Sequence, residues 1–375
     1  MPLLDLRRQY QQIRKEVLAA LERVCESQQF ILGAEVEALE AEIAGLVGCG
    51  AAVACASGTD ALWLALVATG VGRGDEVLTT PFSFFATAGA IVQAGARPIF
   101  CDIDPATFNL DAEKVRARLE QMPSIRLKAL LPAHLYGQCA DVDTLGALAA
   151  EFNLALIEDA AQAFGGTWRG RRAGSFGAAA TFSFYPTKNL GGYGDGGCVT
   201  AADPALAGQL RLLREHGSRR RYHHEELGWN SRLDALQAAV LRVKMRHVEE
   251  WNRQRRERAA EYDRLLRTAG LAGAGSPVRA PEVRPEAGHV FHQYVVRAER
   301  RDELAGFLAE RGVATQVYYP LPLHLQPALG YLGHRPGDCP EAERAAAEVL
   351  ALPMFPELRS DEQQYVVEQM AEFYS

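Results

Sequence analysis

Apolar residues recur every three to four positions at the start of the chain. They fall at Ile13, Val17, Leu18, Leu21 and Val24, and again at Val36, Leu39, Ile43 and Leu46. That spacing predicts two amphipathic helices with these side chains on their buried faces. The pattern then changes: short, nearly continuous apolar runs near 52–56, 76–80, 97–102, 128–133 and 154–159 alternate with helical segments. Runs this short and this apolar are those of strands buried on both faces, and the intervening lengths suit right-handed crossovers. A mostly parallel sheet flanked by helices is expected. One or two long helices are predicted over 233–267, then a Gly-, Ala- and Pro-rich loop over 268–289. A strand-like FHQYVVR, the helix RDELAGFLAERG and further helical stretches follow. The expected organisation is a large α/β domain over 1–250 and a small C-terminal α+β domain over 251–375, with a cleft between them. The N-terminal helix is free to pack on the small domain.

Composition adds little to that picture and removes some alternatives. The chain has 375 residues, 48% hydrophobic and 23% charged, which is ordinary for a water-soluble protein with a sizeable core. A net charge of −7 argues against a general nucleic-acid binder. The basic run Arg219–Arg221, followed by Tyr222, His223 and His224, is local: a solvated loop or a grip on phosphate or carboxylate groups. Seven cysteines lack metal-ligand spacing and are expected to be reduced thiols. No run approaches a membrane span, and MPLLDLRRQY carries charge where a signal peptide needs an apolar core. The expected location is the cytoplasm.

The candidate chemistry lies in LALIEDAAQAFGG and AATFSFYPTKNLGGYGDGG. Lys188 sits five residues after Ser183 and 29 after Asp159. A lysine amine can form a Schiff base with an aldehyde, a carboxylate at a strand end can hold a pyridine nitrogen protonated, and a hydroxyl near a glycine-rich turn can bind phosphate. Pyridoxal phosphate requires all three. Only one of Glu158 and Asp159 can face such a ligand, because neighbouring side chains of a strand point to opposite faces. Gln162 falls on the ligand side if a helix begins after Asp159. Ser57, Gly58, Thr59 and Asp60 form a small-residue turn opening a helix, which is a phosphate seat or an ordinary N-cap. In PFSFFATAGAI, Phe84 is a candidate to stack on a flat ring, and Phe85 is expected in the core. Asn230 and Arg232 precede a long helix, and Asn230 could simply cap a turn. His324 lies in the rigid YYPLPLHLQP, as a loop histidine or part of a substrate rim.

Together, SGTDAL, IEDAAQAFGG, SFYPTKNLGGYGDGG, HGSRRRYHH, NSRLDALQAA and YYPLPLHLQP resemble the pyridoxal-phosphate sugar aminotransferases of the DegT/StrS kind, from DLRRQY to LPMFP. The resemblance implies a fold-type-I aminotransferase: an α/β large domain with a mostly parallel central sheet, a small C-terminal α+β domain, and a homodimer with active sites at the subunit interface. It implies Lys188 as the Schiff-base lysine and proton shuttle, and Asp159 as the partner of the ring nitrogen. Gln162 would contact the phenolic oxygen, Phe84 would stack, and Gly58, Thr59 and Ser183 would bind phosphate. Asn230 would reach the neighbouring subunit's cofactor phosphate, while Arg232, Tyr319 and His324 fall in segments lining the sugar or donor pocket. The implied reaction is ping-pong transfer from L-glutamate to a keto-sugar nucleotide. The runs YGQCAD, RRYHH and YPLPLH are most similar to members acting on UDP-2-acetamido-2-deoxy-3-oxo-glucuronate. Alternatives are 4-keto or deoxy-3-keto sugars on dTDP or UDP, a cyclic ketone without a nucleotide, or a non-catalytic cofactor-binding regulator. A sugar dehydratase of this scaffold would carry histidine where Lys188 stands.

Overall fold

The computed structural model describes residues 1–121 and 125–375. Seven strands form the central sheet: β1 (Ala51–Cys55), β2 (Glu76–Thr79), β3 (Arg97–Phe100), β4 (Leu127–Leu131), β5 (Ala155–Asp159), β6 (Ala179–Ser183) and β7 (Gly197–Ala201). Their spatial order is β1-β7-β6-β5-β4-β2-β3. Only β7 runs antiparallel to its neighbours, so the sheet is mostly parallel as expected. The predicted runs match β1 to β5 within a residue or two, whereas GCVTA (β7), entered through glycines, lies outside the predicted runs.

Helices α1 (Leu6–Ser27), α2 (Ala34–Val47), α3 (Gly58–Ala68), α4 (Ala86–Gln93), α5 (Ala112–Gln121), α6 (Val142–Glu151), α7 (Pro204–Arg214) and α8 (Ala235–Met245) surround this sheet. Apolar residues of α3, Ala61 to Leu66, are buried against β1, β5, β6 and β7 on one face. Val36, Leu39 and Ile43 of α2 cover the other. Each Leu, Ile or Val among them contributes about 1.5–3 kcal/mol by leaving water. The α1 stripe is narrower than its periodicity implied. Ile13, Val17, Ala20 and Val24 pack against α8, but Leu18 is 46% exposed because it lies to the side of that single contact. In α2, Val47 rather than Leu46 completes the buried face.

The small domain is built from α9 (Val248–Thr268), α10 (Arg301–Glu310), α11 (Pro340–Glu348) and α12 (Ser360–Tyr374) around a sheet ordered Val278–Arg279, Tyr294–Ala298, Val349–Leu352. The expected 250/251 division falls inside α9. Its first residue, Val248, belongs to the large-domain core, and Tyr262 and Leu266 to the small-domain core. The 268–289 stretch holds two-residue strands at Val278–Arg279 and Ala287–Gly288. The N-terminus ties the halves together: Met1 and Leu4 pack on the small-domain core, and Arg8 forms a bidentate ion pair with Glu362 at 2.6 and 2.8 Å. All seven cysteines are free, and among the described residues no helix is long and apolar enough to cross a membrane.

Candidate active site

Ligands of open α/β sheets bind in the crevice beyond the carboxyl ends of the strands. Here a cavity of about 640 Å³ lies at that edge. It takes Gly58 and Thr59 after β1, Ser83 and Phe84 after β2, Asp159 at the end of β5, and Ser183 and Lys188 at and after β6. Tyr318 and Tyr319 close it from the small-domain side. A second cleft of about 510 Å³ in the small domain carries arginines, but Arg297, Arg300 and Arg301 are engaged by Glu348, Glu303 and Asp302.

The end of β5 separates its two carboxylates. Glu158 is fully buried on the far face, accepting from the backbone N–H groups of Gly174, Phe176 and Gly177 at 2.7–3.0 Å. The His134 ring nitrogen Nε2 lies 3.0 Å from it. Because His134 Nδ1 accepts from Ala140 N–H, Nε2 carries the proton that Glu158 accepts. Every Glu158 oxygen is thus occupied. Asp159 turns to the cavity instead, with Thr87 Oγ1 donating to Oδ2 at 2.7 Å and Ala161 N–H to Oδ1 at 3.2 Å.

At the other end, Ser57 caps α3 by accepting from Asp60 N–H. The N–H groups of Gly58 and Thr59 make no hydrogen bond among the described residues, leaving an open anion seat at a helix N-terminus. Glycine is required at 58: a Cβ there would stand 2.6 Å from Ser183 Cβ, pushing the seat away from the Ser183 hydroxyl. Gly197 is constrained likewise, since a Cβ would stand 2.3 Å from Ser57 O.

Lys188 follows β6 in a turn closed by its N–H to Tyr185 O, 2.8 Å. Its Nζ makes no hydrogen bond or ion pair among the described residues, and burial lowers its pKa to about 8 against a small opposing pull from Asp159. An amine, a carboxylate, an anion seat and an aromatic plate therefore share one cavity. These residues fit pyridoxal phosphate.

The remaining predicted residues divide. No helix follows Asp159; turns over 160–165 carry Gln162, which still lines the cavity. Its Oε1 accepts from Tyr136 N–H at 2.7 Å, and its Nε2 donates to the Tyr319 hydroxyl at 3.0 Å. Phe84 is 57% exposed, 6.2 Å from the ring of Tyr319. Phe85, expected in the core, is 40% exposed, whereas Phe82 in the same run is buried. His324 is a correction. It does not line the cavity but is buried, with Nε2 3.0 Å from Glu343 Oε1 and its ring edge against Phe100. A hydrogen bond from Leu323 N–H to Pro81 O docks the segment so that Tyr318 and Tyr319 point in and His324 away. Asn230 and Arg232 also lie outside this cavity, flanking Ser231, whose hydroxyl donates to Asp60 Oδ2 at 2.7 Å. The Arg219–Arg221 run forms an exposed hairpin, Ser218–Arg220 against His223–His224. Sequence reasoning missed Ser83, Thr87, His134, His292 and Tyr318. Ser83 and Thr87 stood in PFSFFATAGAI, but hydroxyls in such a run look like packing.

The DegT/DnrJ/EryC1/StrS aminotransferase family model matches residues 11–371. A pleiotropic regulatory protein of Geobacillus stearothermophilus is 52% identical, covering 100% of this chain and 98% of its own. A dTDP-3-amino-3,4,6-trideoxy-alpha-D-glucose transaminase of Streptomyces venezuelae is 46% identical, covering 99% and 96%. A UDP-2-acetamido-2-deoxy-3-oxo-D-glucuronate aminotransferase of Pseudomonas aeruginosa is 41% identical, covering 95% of each. The crystal structure of S. venezuelae DesV in complex with a ketimine intermediate superposes with a TM-score of 0.94 at 44% identity, covering 99% of this chain and 98% of that one.

Proposed function

This chain belongs to the DegT/DnrJ/EryC1/StrS aminotransferase family of pyridoxal-phosphate-dependent enzymes that act on sugar nucleotides, and from that premise we propose that it moves the amino group of L-glutamate to C3 of a keto-sugar nucleotide. The acceptor favoured is UDP-2-acetamido-2-deoxy-3-oxo-glucuronate, handled by a homodimer with shared sites. The observation that carries the reading is the convergence of Lys188, Asp159 and the open N-terminus of α3 on one cavity.

Pyridoxal phosphate, when bound, supplies an aldehyde for amine exchange and a ring that takes up the electrons of the broken Cα–H bond. The chain's own residues do the rest. Gly58 and Thr59 N–H with the Ser183 hydroxyl would hold the phosphate, and Asp159 would hold a proton at the ring nitrogen. Phe84 would cover the ring. Gln162 has a second amide hydrogen to offer the phenolic oxygen. With its pKa near 8, the Lys188 amine is neutral in roughly a tenth of molecules at pH 7, and so is able to bond carbon and to take up a proton at Nζ.

Amination at C3 is supported by what the 46% and 41% relatives share in name: one is named for a 3-amino sugar, the other for a 3-oxo sugar. Glutamate and a uronate both bring carboxylates, whereas among the described residues Lys188 is the one Lys or Arg lining the cavity. A second copy of the chain is the source proposed for the rest. Asn230, Arg232 and the Arg219–Arg221 hairpin are off this cavity, beside exposed Leu227 and Trp229. The name of the 52% relative favours a second reading, a regulator that binds cofactor without turnover; the presence of both Lys188 and Asp159 weighs against it.

The test is the absorption spectrum of the protein with pyridoxal phosphate, before and after L-glutamate. Conversion of the visible band with release of 2-oxoglutarate is expected, and a panel of UDP- and dTDP-linked 3-oxo and 4-oxo sugars then identifies the acceptor. A band untouched by glutamate would favour the regulator, and no band would overturn the proposal.

A further inference from the structure

Asp159 is oriented by two side chains from a different strand end. The turn between β2 and α4 carries Ser83 and Phe84, Thr87 stands in the first turn of α4, and Thr87 N–H donates to Phe84 O at 3.1 Å. Thr87 is fully buried, and its hydroxyl lies 2.7 Å from Asp159 Oδ2 and 2.9 Å from Ser83 Oγ. An ionised carboxylate only accepts, so the Thr87 hydrogen goes to Asp159 and Ser83 donates to Thr87. Ser83 lines the cavity. A chain of two hydroxyls thus runs from the cavity wall to the oxygen of Asp159 that faces α4.

We infer that Thr87 is a positioning residue for Asp159, clamping Oδ2 so that the carboxylate keeps one rotation toward the ligand, with Ser83 orienting the Thr87 hydroxyl in turn. The inference rests on the reading that Asp159 pairs with the ring nitrogen of the cofactor. Three features of the structure support it. A carboxylate at a strand end can rotate about its last bond, and Ala161 N–H alone, at 3.2 Å, is a long restraint. A hydroxyl is needed at 87, because any apolar replacement would leave Oδ2 without its buried donor. Phe84 O accepts from Thr87 N–H at 3.1 Å, so the aromatic plate and the acid's clamp are tied to each other through the backbone.

Three variants read this out: Thr87→Val, which removes the hydroxyl at nearly constant shape; Thr87→Ser, which keeps it; and Asp159→Asn. For each, the measurements are the visible spectrum of bound pyridoxal phosphate across pH, the rate of band conversion by L-glutamate, and the melting temperature without cofactor. Thr87→Val is expected to alter the pH profile of the band and slow conversion about tenfold, the usual scale for losing an outer-shell partner. Thr87→Ser should restore both to within about twofold. A wild-type pH profile and conversion rate in Thr87→Val, beside a slowed Asp159→Asn, would overturn the clamp alone. Equal impairment of Thr87→Ser and Thr87→Val would also overturn it, since packing rather than the hydroxyl would then matter. Near-normal conversion in Asp159→Asn would overturn the reading of Asp159 itself, and the clamp with it.

Discussion

The rim of the cavity and the hairpin beyond it are built on opposite terms. At the rim, one chain brings Gly58, Asp159, Ser183 and Lys188 together at strand ends, with the surrounding backbone fixed by close contacts. At the hairpin, Arg219 to Leu227 are all exposed, and Asn230 and Arg232 sit outside the cavity of their own chain. The first region draws its groups from a single chain; for the second, another copy of the chain is the proposed partner. On that proposal the cofactor's chemistry and the substrate's carboxylates are served by different levels of organisation: strand-end turns for one, assembly of two copies for the other.

The largest effect that could break this comparison is at Lys188. Lys188→Ala is expected to lose the visible band with pyridoxal phosphate and at least about a thousandfold in turnover while remaining folded, checked by absorbance and circular dichroism. Asp159→Asn should keep cofactor binding but slow glutamate conversion about a hundredfold, as for other fixed electrostatic groups. The incomplete region is tested by mixing. Lys188→Ala and Arg232→Ala, each inactive alone, should recover about a quarter of wild-type activity when unfolded and refolded together, because half the dimers are mixed and each mixed dimer has one intact shared site. No recovery would mean that Arg232 serves its own chain's site or none.

Smaller effects sharpen the contrast within the rim. Glu158→Gln is as conservative as Asp159→Asn, yet it places an amide NH₂ against N–H donors whichever way it turns. It should cost about 2–3 kcal/mol of stability by denaturant melt and leave the spectrum of the folded enzyme nearly unchanged. Finally, Lys188 titrates near 8 in the folded chain and near its ordinary 10.5 when unfolded. The folded state therefore binds fewer protons between these values, and its stability should rise with pH across that window relative to Lys188→Met. Capture of pyridoxal phosphate by the apoprotein should speed up as pH rises through about 8. A rate flat in pH would show that the amine is not the group being titrated.

Much of this was legible from residues alone because it is local. Strand β5 and the turn after it put an acid at a carboxyl end, and the small residues at 57–59 open a helix. Those features depend on a few consecutive side chains and on the short-range sterics of strands and helix ends. Tertiary structure decided what depends on partners far along the chain. It chose Asp159 over Glu158 by surrounding the latter with Gly174, Phe176, Gly177 and His134. It turned His324 away through Glu343, buried Phe82 and left Phe85 at the surface, and set Thr87 against Asp159. Such choices follow from which long-range neighbour satisfies a buried polar atom or fills a given volume, and neither periodicity nor motif spacing encodes that.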